Sequence, residues 1–491
     1  MDIRREDVDV IVVGGGGAGM MAALEASKYR RHVLLLEKTG ALGGATVWSI
    51  GSISSSRSEA QRAAGIEDDP QAHFEDMEKF HGALAGRDNA ALRRVLVENV
   101  PETLRLLIDM GLVFIGPMPE PPHRVPRMHN VLPNSRAYGY HIGNAVRQAG
   151  VRVELESPVQ ELLVVDGAVH GVRARTSSGE LIDYIARHGV VLAAGDYSAS
   201  RELKARYAGG VVADIQPVVR SSEGDGHRLA VEAGAQVLNG DLLGGPQIRF
   251  APPPRKLVQR IPPNRPVAKT LRWLMNTMPK PVLRPFIMQF VTTVLEPQKG
   301  LFEAGAILVN ARGERFCDEC DKPQFEIHRQ PDGLAYIILD AALAQQFSAW
   351  PHYVSTAPGV AYAYMPDYRR NRADVYTVAR DAEDLGRKLK MPASSLEAAF
   401  KGGTKKPLGP GPYHVLGPVQ SWIVITDGGL GVTDRHEVVR ADGSVIAGLF
   451  AAGSTGQGGL LLEGHGHHLG WAFTSGRLAG RNAALLEPRA S

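Results

Sequence analysis

The feature that most constrains this chain is a run of glycines placed between a strand and a helix. Val8–Val13 reads VDVIVV, a stretch rich in β-branched residues that suits a buried parallel strand. It runs into Gly14, Gly15, Gly16, Gly17, Ala18 and Gly19, and then into MMAALEASKYR, which has helical composition. His32–Glu37 (HVLLLE) reads as a second buried strand, and its closing acid lies 23 residues beyond Gly14. A glycine triplet alone is weak evidence and also fits a bare turn. Set between strand and helix, with an acid at this distance, it is the dinucleotide fingerprint. Gly14 allows the tight turn, Gly16 lets the backbone approach a pyrophosphate, and Gly19 lets helix and strand pack closely. The pyrophosphate then meets free N–H groups at a helix N-terminus. Glu37 accepts from both ribose hydroxyls, and its charge repels a 2′-phosphate.

Composition narrows the class further. The 491 residues are 44% hydrophobic and 22% charged, which fits a folded chain of several domains rather than a disordered one. Cys317 and Cys320 are the only cysteines, too few for a disulfide scaffold or a multi-cysteine iron–sulfur cluster. A formal net charge of +3 argues against nucleic acid or an anionic membrane as a partner, but the charge is unevenly spread. Residues 249–299 hold ten Lys or Arg, ten prolines and a single acid, Glu296, which leaves −6 on the other 440 residues. The apolar bursts LRWLMNTM and PFIMQFVTTVL lie between those charges. Three readings stay open for this segment: an irregular lid packed on its neighbours, a mouth for a hydrophobic or anionic substrate, or a membrane-surface patch. Charges fill the first nine residues, and no apolar stretch reaches the ~18 residues of a spanning helix. The expectation is a cytoplasmic protein with no secretory leader.

Beyond Glu37 the sequence continues Lys38-Thr39-Gly40-Ala41-Leu42-Gly43-Gly44-Ala45-Thr46. This resembles the E-x5-G-G signature of flavoproteins with two dinucleotide-binding domains, which implies FAD rather than NAD. The rest of the chain resembles the fumarate reductase, succinate dehydrogenase and 3-ketosteroid dehydrogenase superfamily. The resemblance is carried by GGATVWSIGSI (43–53), GVVLAAGDYSAS (189–200), GDGH followed by LAVEAGA (224–235), AILVNARGERFCDE (306–319), GLFAAGS (448–454) and SGRLAGRNAA (475–484). It implies an α/β fold: a discontinuous Rossmann-like FAD-binding domain with an antiparallel meander, residues 1–245 and 416–491, around an α+β capping domain, residues 246–415. The implied FAD contacts are Gly14, Gly15, Gly16, Gly17, Ala18, Gly19, Glu37, Lys38, Gly43, Gly44, Ala45, Thr46, Gly51, Val159, Ala194, Gly195, Asp225, Gly453, Ser454, Leu469 and Gly470. Covalent members of the family attach flavin through a histidine in the segment matching Ala45–Trp48; this chain has none there, so non-covalent FAD is implied. With no haem or cluster motif, the electron acceptor is expected to be external.

The resemblance also sets the chemistry: a hydride moves between flavin N5 and a carbon beside a carbonyl, while a side chain handles a proton. Two helical stretches, AALRRVLVEN and PETLRLLIDMG, are expected to cover the sheet, and a final helix should open near Leu469 or Gly470. Backbone N–H groups there, Gly470 included, would polarise the carbonyl. The fumarate-type clamp is missing in several places. A rough ungapped match puts Glu463 where that family has a substrate-clamping arginine, SWIVITD (421–427) lacks its histidine, and ILDAALAQ (338–345) lacks its proton-donating arginine. A four-carbon dicarboxylate is therefore disfavoured. The ketosteroid pattern of tyrosines does not transfer either, although Tyr413, Tyr138 and Tyr140 lie in segments that could reach a pocket, and Tyr413 is the alternative to a loop histidine for the acid–base role. The leading local constellation is Glu463, His465, His467 and His468, since histidine titrates near neutral pH and can shuttle a proton. The same histidines could instead bond flavin carbonyls or cap the helix. Metal ligation is set aside, because the spacing is tight and lacks an acid pair of ligand geometry. The resulting expectation is an FAD oxidoreductase acting on CH–CH groups, dehydrogenating a hydrophobic, cyclic or steroid-like ketone. The alternatives are an ene-reductase of an enone or unsaturated carboxylate, or a redox-neutral or membrane-associated flavoprotein.

Overall fold

The computed structural model describes residues 3–251, 260–279, 295–357, 361–402 and 407–488, together with residues 283, 284, 288 and 292. Much of 249–299 lies outside the described residues. Strand β1 (Arg4–Val13) is fully buried from Val10 to Val13 and pairs in parallel with β2 (Val33–Leu36). Between them runs α1 (Gly17–Ser27), the right-handed crossover such a pair requires. A short strand β3 (Ser52–Ser54) follows, then helices α2 (Pro70–His81) and α3 (Ala90–Asp109). The two stretches expected around Pro101 form one helix. The stripe of Leu96, Val97, Val100, Thr103, Leu104 and Leu107 stays buried across the proline, so packing carries the helix through the break that local preference suggests.

Strands β4 (Val113–Met118) and β5 (Met128–Leu132) pair with each other, and β5 also pairs with β3. Helix α4 (Arg136–Gln148) leads to β6 (Arg152–Glu154), which pairs in parallel with β2. The meander therefore begins later than Val151. It consists of β7 (Val159–Val165), β8 (Ala168–Arg175) and the first half of β9 (Leu181–Leu192), all antiparallel. β9 pairs in parallel with β1 along its length, so the strand that closes the meander also belongs to the main sheet, and GVVL forms its last four residues. After helix α5 (Asp225–Glu232), a second sheet is built by β10 (Gln247–Phe250), β11 (Ile307–Asn310), β12 (Ala335–Leu339), β13 (Tyr376–Ala379) and β14 (Tyr413–Ile423). Helix α6 (Arg265–Thr277) leaves this sheet and packs Ala268, Leu271 and Met275 on Val113, Ile115 and Leu132 of β4 and β5. AILVNARGERF does not form a strand pair by itself: β11 takes β12 as its partner, and Arg315 makes only one bridge to Val309.

The chain closes with β15 (Glu437–Val439), β16 (Val445–Ala451) and α7 (His467–Leu485). The main sheet runs β15–β16–β9–β1–β2–β6. Helix α7 lies against α1 almost without side chains between them. A Cβ on Gly476 would stand 2.2 Å from the Ala18 oxygen, and one on Gly480 2.1 Å from the Ala22 oxygen. The expected start of this helix needs correcting: it opens at His467, capped by Gly466 at φ +93°, rather than at Leu469 or Gly470.

Candidate active site

At the end of β1, Gly14 has φ +104°, and a Cβ there would lie 2.4 Å from the Ala193 oxygen; the turn admits only glycine. Gly19 is equally constrained, its Cβ position 1.8 Å from the Gly14 oxygen. Gly16, the N-cap of α1, differs. A Cβ there would meet no protein atom within 4 Å, so this glycine borders open space. The space is a cleft at the carboxyl ends of β1, β2, β9 and β16, the ligand position of an open parallel sheet. Gly14, Gly16, Gly17, Ala18, Glu37, Lys38, Gly44, Ala45, Thr46, Val159, Ala194, Gly195, Asp225, Gly453 and Ser454 line it.

The polar groups of the cleft are held in place. Buried Glu37 accepts from the Gly15 N–H (2.6 Å) through Oε2, and from the Thr39 N–H and hydroxyl (2.8 Å each) through Oε1. The carboxylate keeps lone pairs for ribose hydroxyls. Lys38 sits between Asp225 and Glu223, 2.6 Å from each; burial would lower its pKa, but the two acids outweigh that and raise it. The second glycine run touches the first: Gly43 N–H donates to the Gly15 oxygen (2.9 Å), and a Cβ on Gly44 would stand 3.1 Å from the Gly16 Cα. The Gly453 turn is fixed from α7, where Ser475 Oγ accepts its N–H (2.9 Å) and Trp471 Nε1 donates to its carbonyl (3.2 Å). A pinned acid, an open glycine at a helix start and a second glycine run opposite fit FAD, and a side chain at Gly16 would fill the room for its pyrophosphate.

Other expected contacts lie outside the cleft. Gly15, Gly19 and Gly43 shape its wall, while Gly51 accepts from the Tyr138 hydroxyl (2.9 Å). Leu469 is core. Gly470 needs correction: its N–H donates to the Gly466 oxygen (2.9 Å), and its Cβ position faces Val100 and Leu96 of α3. It cannot polarise a carbonyl; the free N–H groups of α7 belong to the turn before it. Tyr413 also stands apart from the histidine loop, packed on Phe400 with ring centroids 4.4 Å apart. Tyr140 is exposed on α4. Cys317 and Cys320 form no disulfide, and burial pushes Cys317 up to about 12.

The three loop histidines have separate fates. His465 takes both its N–H bond (2.8 Å) and its ring Nδ1 contact to Glu120, whose hydrogen bond raises the imidazole against the effect of burial. His467 is buried and lowered to about 4 by desolvation; Nδ1 donates to the Glu463 oxygen (2.5 Å), leaving Nε2 to accept from His73 Nε2 (3.2 Å). His123 completes a cluster of three imidazoles. Arg127 donates to His123 Nδ1 (2.9 Å), which places that ring's proton on Nε2. His468 points the other way, its Nε2 2.9 Å from Asp427 Oδ1. Burial pushes Asp427 up, but His468 and the Gln457 amide (3.1 Å) outweigh it and hold the carboxyl below its ordinary value. Fully buried Asp196 is pushed up to about 6 by desolvation and further by Asp427, despite its bond from the Ser198 N–H (2.7 Å). Burial and then Asp427 raise Glu463, whose Oε2 has no hydrogen-bond partner among the described residues. An imidazole bonded to a carboxylate held below its ordinary value, near two carboxyls raised by burial, is an arrangement able to do acid–base chemistry.

On β10, Gln247 and Arg249 alternate with core residues Ile248 and Phe250 and lie opposite Trp422 and Gln420 of β14. The Arg249 guanidinium bonds only to Gln247 Oε1 (2.9 and 3.2 Å) and makes no ion pair among the described residues; burial lowers its pKa. The Trp422 indole N–H is buried without a partner. Sequence reasoning missed Asp427, Asp196 and Glu120, since each is remote in sequence from the loop histidine it faces, and it missed Arg249, which stands on β10 beside Gln247.

The chain is 25% identical over 509 residues to the NADH:fumarate oxidoreductase of Klebsiella pneumoniae (strain 342); the match covers 98% of this chain and 48% of that protein, so the chain spans about half its length. Among solved structures, a flavocytochrome c3 fumarate reductase in an open conformation superposes with TM-score 0.72 at 23% identity, over 98% of this chain and 78% of that one. The 3-ketosteroid-Δ4-(5α)-dehydrogenase of Rhodococcus jostii RHA1 has the same fold, with TM-score 0.60 and 22% identity over 99% of this chain and 100% of that one. The family described as the FAD binding domain matches residues 9–254 and 278–461, and the chain belongs to that family.

Proposed function

We propose that the protein is an FAD-dependent ene-reductase, acting on a carbon–carbon double bond conjugated with a carbonyl or carboxylate. The carrying observation is the His468–Asp427 pair at the start of α7, flanked by Asp196 and Glu463. FAD, when bound, supplies the hydride. Asp427, held ionised, can only accept, so the His468 Nε2 keeps its proton and Nδ1 is the atom left to carry and release one to the neighbouring carbon. The free N–H groups of the first turn of α7 favour negative charge developing on the substrate oxygen. Arg249 offers the capping sheet's fixed positive charge for a carbonyl or a single carboxylate. Reduction is the preferred direction because the relatives in sequence and fold include proteins named for fumarate reduction. Electrons come from an external redox partner.

The fold likeness to a 3-ketosteroid dehydrogenase favours a second reading, dehydrogenation of a hydrophobic ketone by the same residues. Anaerobic mixing separates the two. Reduced holoprotein with 2-enoates or cyclic enones should recover the oxidised flavin spectrum, whereas oxidised holoprotein with saturated ketones should bleach under the second reading. No change in either direction overturns both.

A further inference from the structure

We propose that the outward face of α6 docks the protein on an anionic lipid surface. At 3.6 residues per turn, Ala268, Leu271 and Met275 share the face that packs on β4 and β5, which fixes the opposite face outward. Trp273, 62% exposed, lies on that outward face, and Arg265, Lys269 and Arg272, spaced i, i+4, i+7, form one exposed stripe along its flank. Exposed Arg260 precedes the helix. None of the four cations pairs with a carboxylate among the described residues, although ion pairs are common elsewhere on this surface. No acid occurs in the sequence from 242 to 295, so nothing on this segment cancels the charge.

Charge complementarity alone would suit any polyanion. The tryptophan beside the basic stripe selects a bilayer, because an indole prefers the headgroup boundary and cationic stems snorkel around it. Among the described residues no helix is long and apolar enough to cross a membrane, so the docking proposed is peripheral.

The test is co-sedimentation of FAD-loaded protein with vesicles of phosphatidylcholine alone or mixed with phosphatidylglycerol. Binding is expected only with the anionic lipid, falling steeply when salt is raised, since screening shortens the reach of these charges. Each cation removed should weaken partitioning about fivefold. The triple variant R265E/K269E/R272E should lose binding, while Trp273→Ala should weaken it and keep its salt dependence. FAD content and melting temperature, measured on the same samples, should match the parent, because all four side chains point to solvent. Equal binding to both vesicle types, undiminished binding of the triple variant, or capture by duplex DNA without capture by vesicles overturns the proposal.

Discussion

The FAD cradle and the acid–base centre are built by opposite means, although helix α7 serves both. The cradle gathers nearly half of its lining from the first 46 residues, and its constraint is steric: Gly14 and Gly19 leave no room for a side chain, and Gly16 leaves room for a ligand. The acid–base centre draws Asp196, Asp427, Glu463 and His468 from segments about 270 residues apart, and its constraint is electrostatic. The first is rigid at the level of tenths of an ångström. The second is tuned by burial, so charge changes there should alter chemistry before they alter folding.

The largest effect should come from a branched side chain at the base of the cradle. Gly19→Val forces apart β1 and α1, and the purified protein should carry no flavin by absorbance. Gly16→Ala provides the contrast: its Cβ touches no protein atom, so the apoprotein should melt within ~0.5 kcal/mol of the parent while FAD affinity drops at least tenfold. Equal flavin loss without a stability difference between the two would break the steric account. Next, Gly480→Ala should destabilise by about 1–3 kcal/mol in denaturant titration, because its Cβ would press on the Ala22 oxygen.

The histidine cluster behind the acid–base centre predicts a pH dependence that the cradle does not. His123 (about 3), His467 (about 4) and His73 are all depressed by burial. Below the unfolded value near 6.5 the unfolded chain takes up protons that the folded chain refuses, so stability falls as pH drops from ~6.5 toward ~4. Each such group contributes about 1.4 kcal/mol per pH unit. Asp196, raised to about 6, has the opposite sign and offsets about one of them below pH 6. Thermal melts of His467→Phe should show a shallower acid limb than the parent between pH 6.5 and 5; an identical slope would contradict the burial argument. The smallest effect is reserved for Tyr413, whose exchange for Phe should leave turnover within twofold, since its ring packs on Phe400 away from the His468 pair.

The same contrast decides what could be read from the sequence. Strand, glycine run, helix and acid follow one another at fixed spacing, so the cradle was legible residue by residue, as was the return of β9 to the sheet. The start of α7 was misplaced because Gly464 and Gly466 look like loop punctuation, while Gly466 is the cap itself. Pro101 looked like a helix end, yet a continuous buried stripe overrides it. The histidines of the loop stood out, but their roles are set by Glu120, Glu463, His73 and Asp427, and no local spacing links those partners to them. Arg249 reads as one cation in a basic segment, and only strand pairing places it on the partly buried polar face of the second sheet, beside Gln247 and opposite Gln420.

The central claim is that Asp427 sets the proton-handling state of His468. Single-turnover reoxidation of the anaerobically reduced holoprotein by an unsaturated carbonyl compound, with parent and Asp427→Asn compared at matched FAD content and across pH, tests it most directly. The account predicts a rate at least ~10²-fold lower in the variant with a displaced pH profile; an unchanged rate and profile would contradict it.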